Sequence, residues 1–412
     1  MTATPLTSFA ELALPPQLTK SLERMGYKEP TPIQAAALPL ALSGRDIMGT
    51  AQTGTGKTAA FGIPLVKQIL TQSRGTALVL LPTRELAQQV LESLVQLIGD
   101  IRLPTALIIG GESMPKQIQM LRARPRLIVG TPGRINDLLV RGDLMLHDAN
   151  FLVLDETDRM LDMGFGIQLE AIVKYLPAKR QTLMFSATLP DNILKLAGKY
   201  LTNPERIAVG STTATAEKVT QNHIEVADDK KFDLLMEELT KRTGSVIVFV
   251  KSKWGSDKLA DKLRKRQFAA DALHGDLRQN QRERVIDGFR EQKFRILVAT
   301  DIAARGLDIP HVEHVINYDL PHSPEDYIHR IGRTARAGAE GAALNFLSPA
   351  DAEKWHAIQR MFDPSLPKFA GKKAPTSNGG RSAGNGGGSR SGNRRRRGGG
   401  SGKPKPAHAS VA

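Results

Sequence analysis

The sequence predicts an α/β protein made of two tandem parallel-sheet domains, followed by a disordered basic tail. Short apolar runs alternate with helix-like segments in two successive series, most of the runs are apolar without interruption, and a small polar stretch divides the series. The 412 residues exceed one ordinary core and suit two domains with extras, at roughly 100 to 200 residues each.

The first series begins at residue 46. DIMGTA (46–51), TALVLLP (76–82), TALIIGG (105–111), RLIVGTP (126–132), FLVLDE (151–156) and QTLMFSAT (181–188) are its runs. Continuous apolarity suits strands covered on both faces, hence a parallel sheet with crossover helices. PERIAVGSTTATAEKV (204–219) breaks the rhythm with small polar residues and reads as a linker. The alternation resumes with SVIVFV (245–250), FAADALHG (268–275), RILVATD (295–301), HVEHVINYD (311–319) and GAALNFL (341–347). The expected division is a first domain over 1–205, a linker over 206–219, a second domain over 220–363 and a tail over 364–412. Open parallel sheets form crevices at the carboxyl ends of their strands, so two such edges facing each other across a flexible linker make a cleft.

Composition narrows the class. Apolar content of 41% is ordinary for globular protein. No run approaches the 18 or so consecutive apolar residues of a membrane span, and MTATPLTSFAEL lacks the basic-then-apolar order of a secretory signal. The expected location is the cytoplasm, with no membrane partner. The absence of cysteine excludes disulfides and thiolate metal sites. Of the net charge of +15, the tail supplies eleven Lys or Arg with no Asp or Glu. GNGGGSR, SGNRRRRGGG and GKPKPAH cannot bury enough apolar surface to offset chain entropy, so disorder is expected there. Arg394 to Arg397, set between glycines, can follow a phosphate backbone, which makes a polyanion the expected partner.

AQTGTGKT (51–58) has the chemistry of a phosphate loop. Across Thr53, Gly54, Thr55 and Gly56 the glycines let backbone N–H groups wrap an anion, and the following helix adds its positive end. Lys57 reaches the outer phosphates, and Thr58 offers a hydroxyl to Mg2+. Ala51 stands where the general pattern has glycine. FLVLDE supplies the matching acids: Asp155 to hold the Mg2+ through water, and Glu156 to polarise the attacking water as general base.

An ordered string of motifs joins these two. GYKEPTPIQ (26–34), AQTGTGKT, PTRELA (82–87), GG (110, 111), TPGR (131–134), DETD (155–158), SAT (186–188), HGDLRQNQRER (274–284), ATDIAARGLDI (299–309) and HRIGRTARAG (329–338) follow one another along the chain. Over about residues 9–350 the sequence resembles the DEAD-box family of ATP-dependent RNA helicases, in its bacterial form. The resemblance implies two RecA-like domains that bind ATP with Mg2+ and close on RNA. It implies that Gln34 reads adenine, with donor and acceptor on one carboxamide. Phe9, seventeen positions before Gly26, would pack on the base, with Tyr27 also at the nucleotide. Gly306 and Asp308 would approach the ribose, and Arg333 and Arg336 would act as arginine fingers on the γ-phosphate. Asp158, Ser186, Thr188 and His329 would couple ATP to RNA.

The implied RNA contacts are Pro82, Thr83, Arg84, Gly110, Gly111, Thr131, Gly133 and Arg134 in the first domain. In the second they are His274, Gly275, Gln279, Arg282 and Thr300. Small residues and arginines grip sugar and phosphate, so little sequence preference is expected. At 5% aromatic content, with no aromatic within these motifs, extensive base stacking is not expected. The expected output is local, non-processive unwinding of short duplexes or remodelling of ribonucleoprotein by a monomeric core. An RNA clamp with little unwinding and a DNA-directed helicase of the same architecture are the alternatives. Two positions depart from the family pattern: Thr157 stands where the family name has alanine, and Ala335 where glycine is usual. If residue 335 needs a positive φ, alanine costs about 1 kcal/mol there.

Overall fold

The computed structural model describes residues 6–51, 54–209, 219–304, 311–335 and 341–369. The strands of the first lobe are β1 (Ile47–Thr50), β2 (Thr76–Leu80), β3 (Thr105–Ile108), β4 (Leu127–Gly130), β5 (Ala149–Leu154), β6 (Gln181–Ser186) and β7 (Glu205–Ala208). They form one sheet in the order β3-β4-β2-β5-β6-β1-β7. The second lobe has β8 (Val219–Glu225), β9 (Ser245–Phe249), β10 (Ala270–Leu273), β11 (Ile296–Ala299), β12 (Val312–Asn317) and β13 (Gly341–Leu347), in the order β10-β11-β9-β12-β13-β8. Every neighbouring pair in both sheets is parallel.

Both faces of each sheet are covered, which is why the strand sequences are apolar throughout rather than alternating. Along β2 and β5, Val79 and Val153 face the core shared with Phe61, Leu94 and Phe185. Their neighbours Leu78, Leu80, Leu152 and Leu154 face the opposite core, with Ile135, Leu138 and Tyr200. Each such fully buried side chain contributes on the order of 1.5–3 kcal/mol. The crossovers leave the strand ends short and polar, and helices begin there with side-chain caps. Thr83 accepts from Leu86 N at 3.3 Å, Ser252 from Gly255 N at 3.0 Å and Ser323 from Asp326 N at 3.1 Å. These caps fix the loops that carry the candidate site.

Three local differences from the sequence reading have physical causes. The segment read as linker begins inside β7, at Arg206–Ala208, and ends at Val219 in β8. These are edge strands, so their exposed polar residues hide the strand signal. Thr157 and Asp158, directly after the FLVLDE run, do not prolong its strand but open the short Thr157–Asp162 helix, because Glu156 turns the chain with φ +53°. At the start of the tail, the Leu366 carbonyl accepts from Arg360 and the Pro367 carbonyl from His356, so 364–369 packs on the Ala352–Phe362 helix. Thr53, Gly306, Asp308, Arg336, linker residues 210–218 and the tail from 370 onward lie outside the described residues. Among the described residues no helix is long and apolar enough to cross a membrane.

Candidate nucleotide and nucleic-acid site

The strand register brings the motif residues to one edge. Thr50 pairs with Ser186, Leu80 with both Gly130 and Leu154, and Ile108 with Gly130. The residues that follow these strands therefore emerge side by side. Gly54 and Gly56 hold φ of +83° and +95°, and the Lys57–Thr71 helix begins immediately after them. A Cβ on Gly56 would stand 2.5 Å from Gln34 Nε2, so only glycine lets the loop lie against that carboxamide.

Gln34 is 2% exposed. Its Oε1 accepts from Thr31 N at 2.9 Å and its Nε2 donates to Gly56 O at 3.0 Å. One N–H and one lone pair of the amide remain for a base edge, the pair that matches N6 and N7 of adenine. Phe9 is buried edge-on to Tyr27, with centroids 5.7 Å apart, and burial raises the Tyr27 pKa above its ordinary value.

Lys57 Nζ lies 3.6 Å from Asp155 Oδ1, with both side chains 5% exposed. Burial pushes the Asp155 pKa up, against the Lys57 ammonium, which lowers it, and the neighbouring Glu156, which raises it. Among the described residues no cluster of three acidic or histidine ligands occurs. A single buried carboxylate beside the phosphate loop fits Mg2+, which takes one or two carboxylates, phosphate oxygens and water rather than an all-protein cage. The Ser186 hydroxyl is fully buried, at the end of β6, with no protein hydrogen-bond partner. The phosphate loop, one buried carboxylate and Thr58, half-buried on the first helical turn, thus fit a triphosphate with its metal.

Glu156, in its left-handed conformation, accepts from Arg159 Nη1 at 2.5 Å, both side chains buried. The Arg159 Nη2 donates across the cleft to His329 Nδ1 at 2.9 Å. Asp158 Oδ2 accepts from Ala187 N at 2.9 Å and Thr188 N at 3.2 Å, which ties the helix after β5 to the loop after β6. A cavity of about 320 Å3 between the lobes is lined by Asp158 and Thr188 on one side and Ser323, Glu325 and His329 on the other. Arg333 is buried beside this network, its Nε donating to His329 O at 3.0 Å.

The second cavity, of about 300 Å3, is lined by Pro82, Thr83, Arg84, Glu85, Gly110, Thr131, Gly133, Arg134, Met163 and Phe165 from the first lobe and by Gly275 and Arg282 from the second. Arg282 Nε donates to Glu85 Oε1 at 2.5 Å, both side chains buried, and Arg84 Nη1 donates to Gln279 Oε1 at 3.4 Å. A Cβ on Gly111 would collide with the Arg84 guanidinium at 2.1 Å, so the paired glycines make room for it. Burial lowers the Arg84 pKa, opposed by Glu85 and reinforced by Arg282 and Arg134. Three guanidiniums around a single buried carboxylate leave net positive charge facing the cavity. His274 turns its ring toward Asp257, at 2.9 Å, and offers its carbonyl to Arg282. Thr300 is buried at the end of β11.

Glu85, Arg159 and Arg330 carry the arrangement without having been singled out in the sequence. Arg330 clamps Asp301 through two hydrogen bonds of 2.6 and 2.8 Å, donates to Asn317 Oδ1 and Asp319 O, and lies over the Phe249 ring. It fixes the Pro324–Ile331 helix, and so His329. Glu85 and Arg330 stand inside quoted motifs and Arg159 directly follows one, but the cross-lobe partners of Glu85 and Arg159 lie 197 and 170 residues along the chain.

Two parallel-sheet lobes with a phosphate loop, a Lys–Asp pair and a cationic cleft define a nucleotide-driven helicase architecture. Residues 31–196 match the DEAD/DEAH box helicase family and residues 230–338 the helicase conserved C-terminal domain. The chain is 47% identical to the DEAD-box ATP-dependent RNA helicase CshA of Geobacillus kaustophilus, over 90% of this chain and 79% of that one. It is similar to the structure of S. cerevisiae Dbp5 bound to RNA and ADP BeF3, with TM-score 0.78 and 34% identity over 88% of this chain and 95% of that one. It is also similar to Mss116p bound to ssRNA and AMP-PNP, with TM-score 0.77 and 28% identity over 88% and 78% of the two chains. The chain belongs to the DEAD-box family of ATP-dependent RNA helicases.

Proposed function

We propose that ATP with Mg2+ and single-stranded RNA each bind both lobes, so that each favours closure and raises affinity for the other, and that closure separates short duplexes locally. The observation that carries this reading is the buried Glu85–Arg282 pair across the 300 Å3 cavity, which makes the nucleic-acid face depend on both lobes at once. Lys57 and the N–H groups after Gly54 bind the phosphates, Gln34 and Phe9 the base. Glu156 takes a proton from water, oriented by Arg159, whose other end answers to His329 in the second lobe. Asp155, through water, and Thr58 would hold Mg2+, which would supply positive charge against that developing on the phosphates. Arg333 and Arg336 supply the second lobe's positive charge there, with Gly306 and Asp308 on the ribose. Asp158, Ser186 and Thr188 transmit closure between the two faces.

Pro82, Thr83, Arg84, Gly110, Gly111, Thr131, Gly133, Arg134, Gly275, Gln279, Arg282 and Thr300, with the His274 backbone, grip sugar and phosphate. A bent single strand fits this face and a rigid duplex does not, so the complementary strand leaves over a few base pairs only. Hydrolysis removes the phosphate shared between the lobes, and they part. The reading places the protein in the cytoplasm as a monomer. Steady-state ATPase rates of the full chain with RNA, with DNA of equal length and with neither test it. RNA should raise the rate well above both other conditions; a rate indifferent to RNA would contradict the proposal.

A further inference from the structure

Trp254 is the most exposed aromatic side chain among the described residues, at 70%. It sits on the first turn of the Lys253–Lys265 helix, in the stretch KSKWGSDK, between Lys251, Lys253 and Lys258. A single exposed apolar side chain is ordinary on a protein surface, so the case for an occupant lies in the lysines around this ring and the cleft beside it. One of its faces is already taken: Lys258 Nζ lies 4.3 Å from the ring centroid. A cation on one face of an indole leaves the other face open to a flat partner such as a base.

The residues on either side of Trp254 in the sequence reach the rim of the cleft. Asp257, three residues on, accepts from His274 at 2.9 Å. Lys253 Nζ pairs with Asp276 Oδ1 at 2.6 Å. The Lys253 Cε would be 3.7 Å from a Cβ on Gly275, which itself lines the 300 Å3 cavity. The surface therefore runs without a break from that cavity, over Gly275 and Lys253, to the indole.

We propose that Trp254 is a stacking platform for a base of the RNA strand where it runs out of the cleft, with Lys253 and Lys258 on the flanking phosphates. The platform rests on the reading that the cavity holds RNA. It adds a contact outside the paired lobes, so it lengthens the footprint on RNA and leaves ATP hydrolysis untouched. Stacking is indifferent to base identity, so the strand gains grip without gaining sequence preference.

The test uses the full chain with Trp355→Phe, which leaves Trp254 as the sole tryptophan, and a ladder of single-stranded RNA oligonucleotides of increasing length with an ATP analogue. Indole emission should be quenched only from the length at which the strand passes the cleft. Beyond that length Trp254→Ala should bind roughly 5-fold to 100-fold more weakly, while Trp254→Phe retains most of the affinity. Below it, the variants should bind alike, and ATPase activity without RNA should be the same in all. Equal affinity of Trp254→Ala and the parent for every length, with the parent binding RNA, overturns the platform alone and leaves the indole to a protein partner. Failure of the parent to bind RNA overturns the underlying reading as well.

Discussion

Thr157 shows what a single hydroxyl does at the centre of the first lobe. Its side chain is fully buried, and its Oγ1 donates toward Phe185 O at 3.2 Å, linking the helix after β5 to the end of β6. Neither carboxylate neighbour depends on that bond. Thr157→Ala should therefore keep its ATPase turnover while losing about 1 kcal/mol of stability, read from steady-state kinetics and urea unfolding; lost turnover in a folded variant would contradict this. Ala335 holds φ +55°, and a Cβ on Gly341 would meet its backbone N at 2.7 Å, so the turn is held from below. Ala335→Gly should stabilise the protein by about 1 kcal/mol or less, as a small rise in thermal midpoint, and a fall would show that the strain is already relieved. Lys57 and Asp155 were legible in the sequence because their motifs are local. Glu85 and Arg159 were not, since their partners lie 197 and 170 residues away and nothing local signals the pairing.

Eleven of the thirteen strands stand where the apolar runs fall, because strands buried on both faces write their position into continuous hydrophobicity. β7 and β8 were missed for the opposite reason: ERIA and VTQNHIE each leave polar side chains exposed at a sheet edge. Among helices, Pro324–Ile331 brings His329 to the cavity lined by Asp158 and Thr188, and its placement rests on Arg330. The guanidinium forks onto Asp301 and also satisfies Asn317, with 2% of its side chain exposed. Arg330→Lys cannot reproduce the fork and should lose RNA-stimulated ATPase and at least about 3 kcal/mol of second-lobe stability, much as Arg330→Ala would. Rescue by lysine, measured as unfolding midpoint and rate together, would show that charge alone suffices there.

At the scale of the whole molecule, the described residues enclose two cavities of similar size between the lobes. One is bordered by the Asp158–His329 network and the other by the Glu85–Arg282 pair. Neither wall is complete in one lobe, so on the proposed function a ligand in one cavity would favour the arrangement that completes the other. Two binding sites that share one closed form must be coupled, and the coupling must be reciprocal. The most direct measurement is the affinity of the full chain for a fluorescent single-stranded RNA with a non-hydrolysable ATP analogue and without nucleotide. The analogue should tighten RNA binding roughly 5-fold to 150-fold, and RNA should tighten the analogue by the same factor. Equal RNA affinity in the two conditions would contradict the shared closed form on which the account rests.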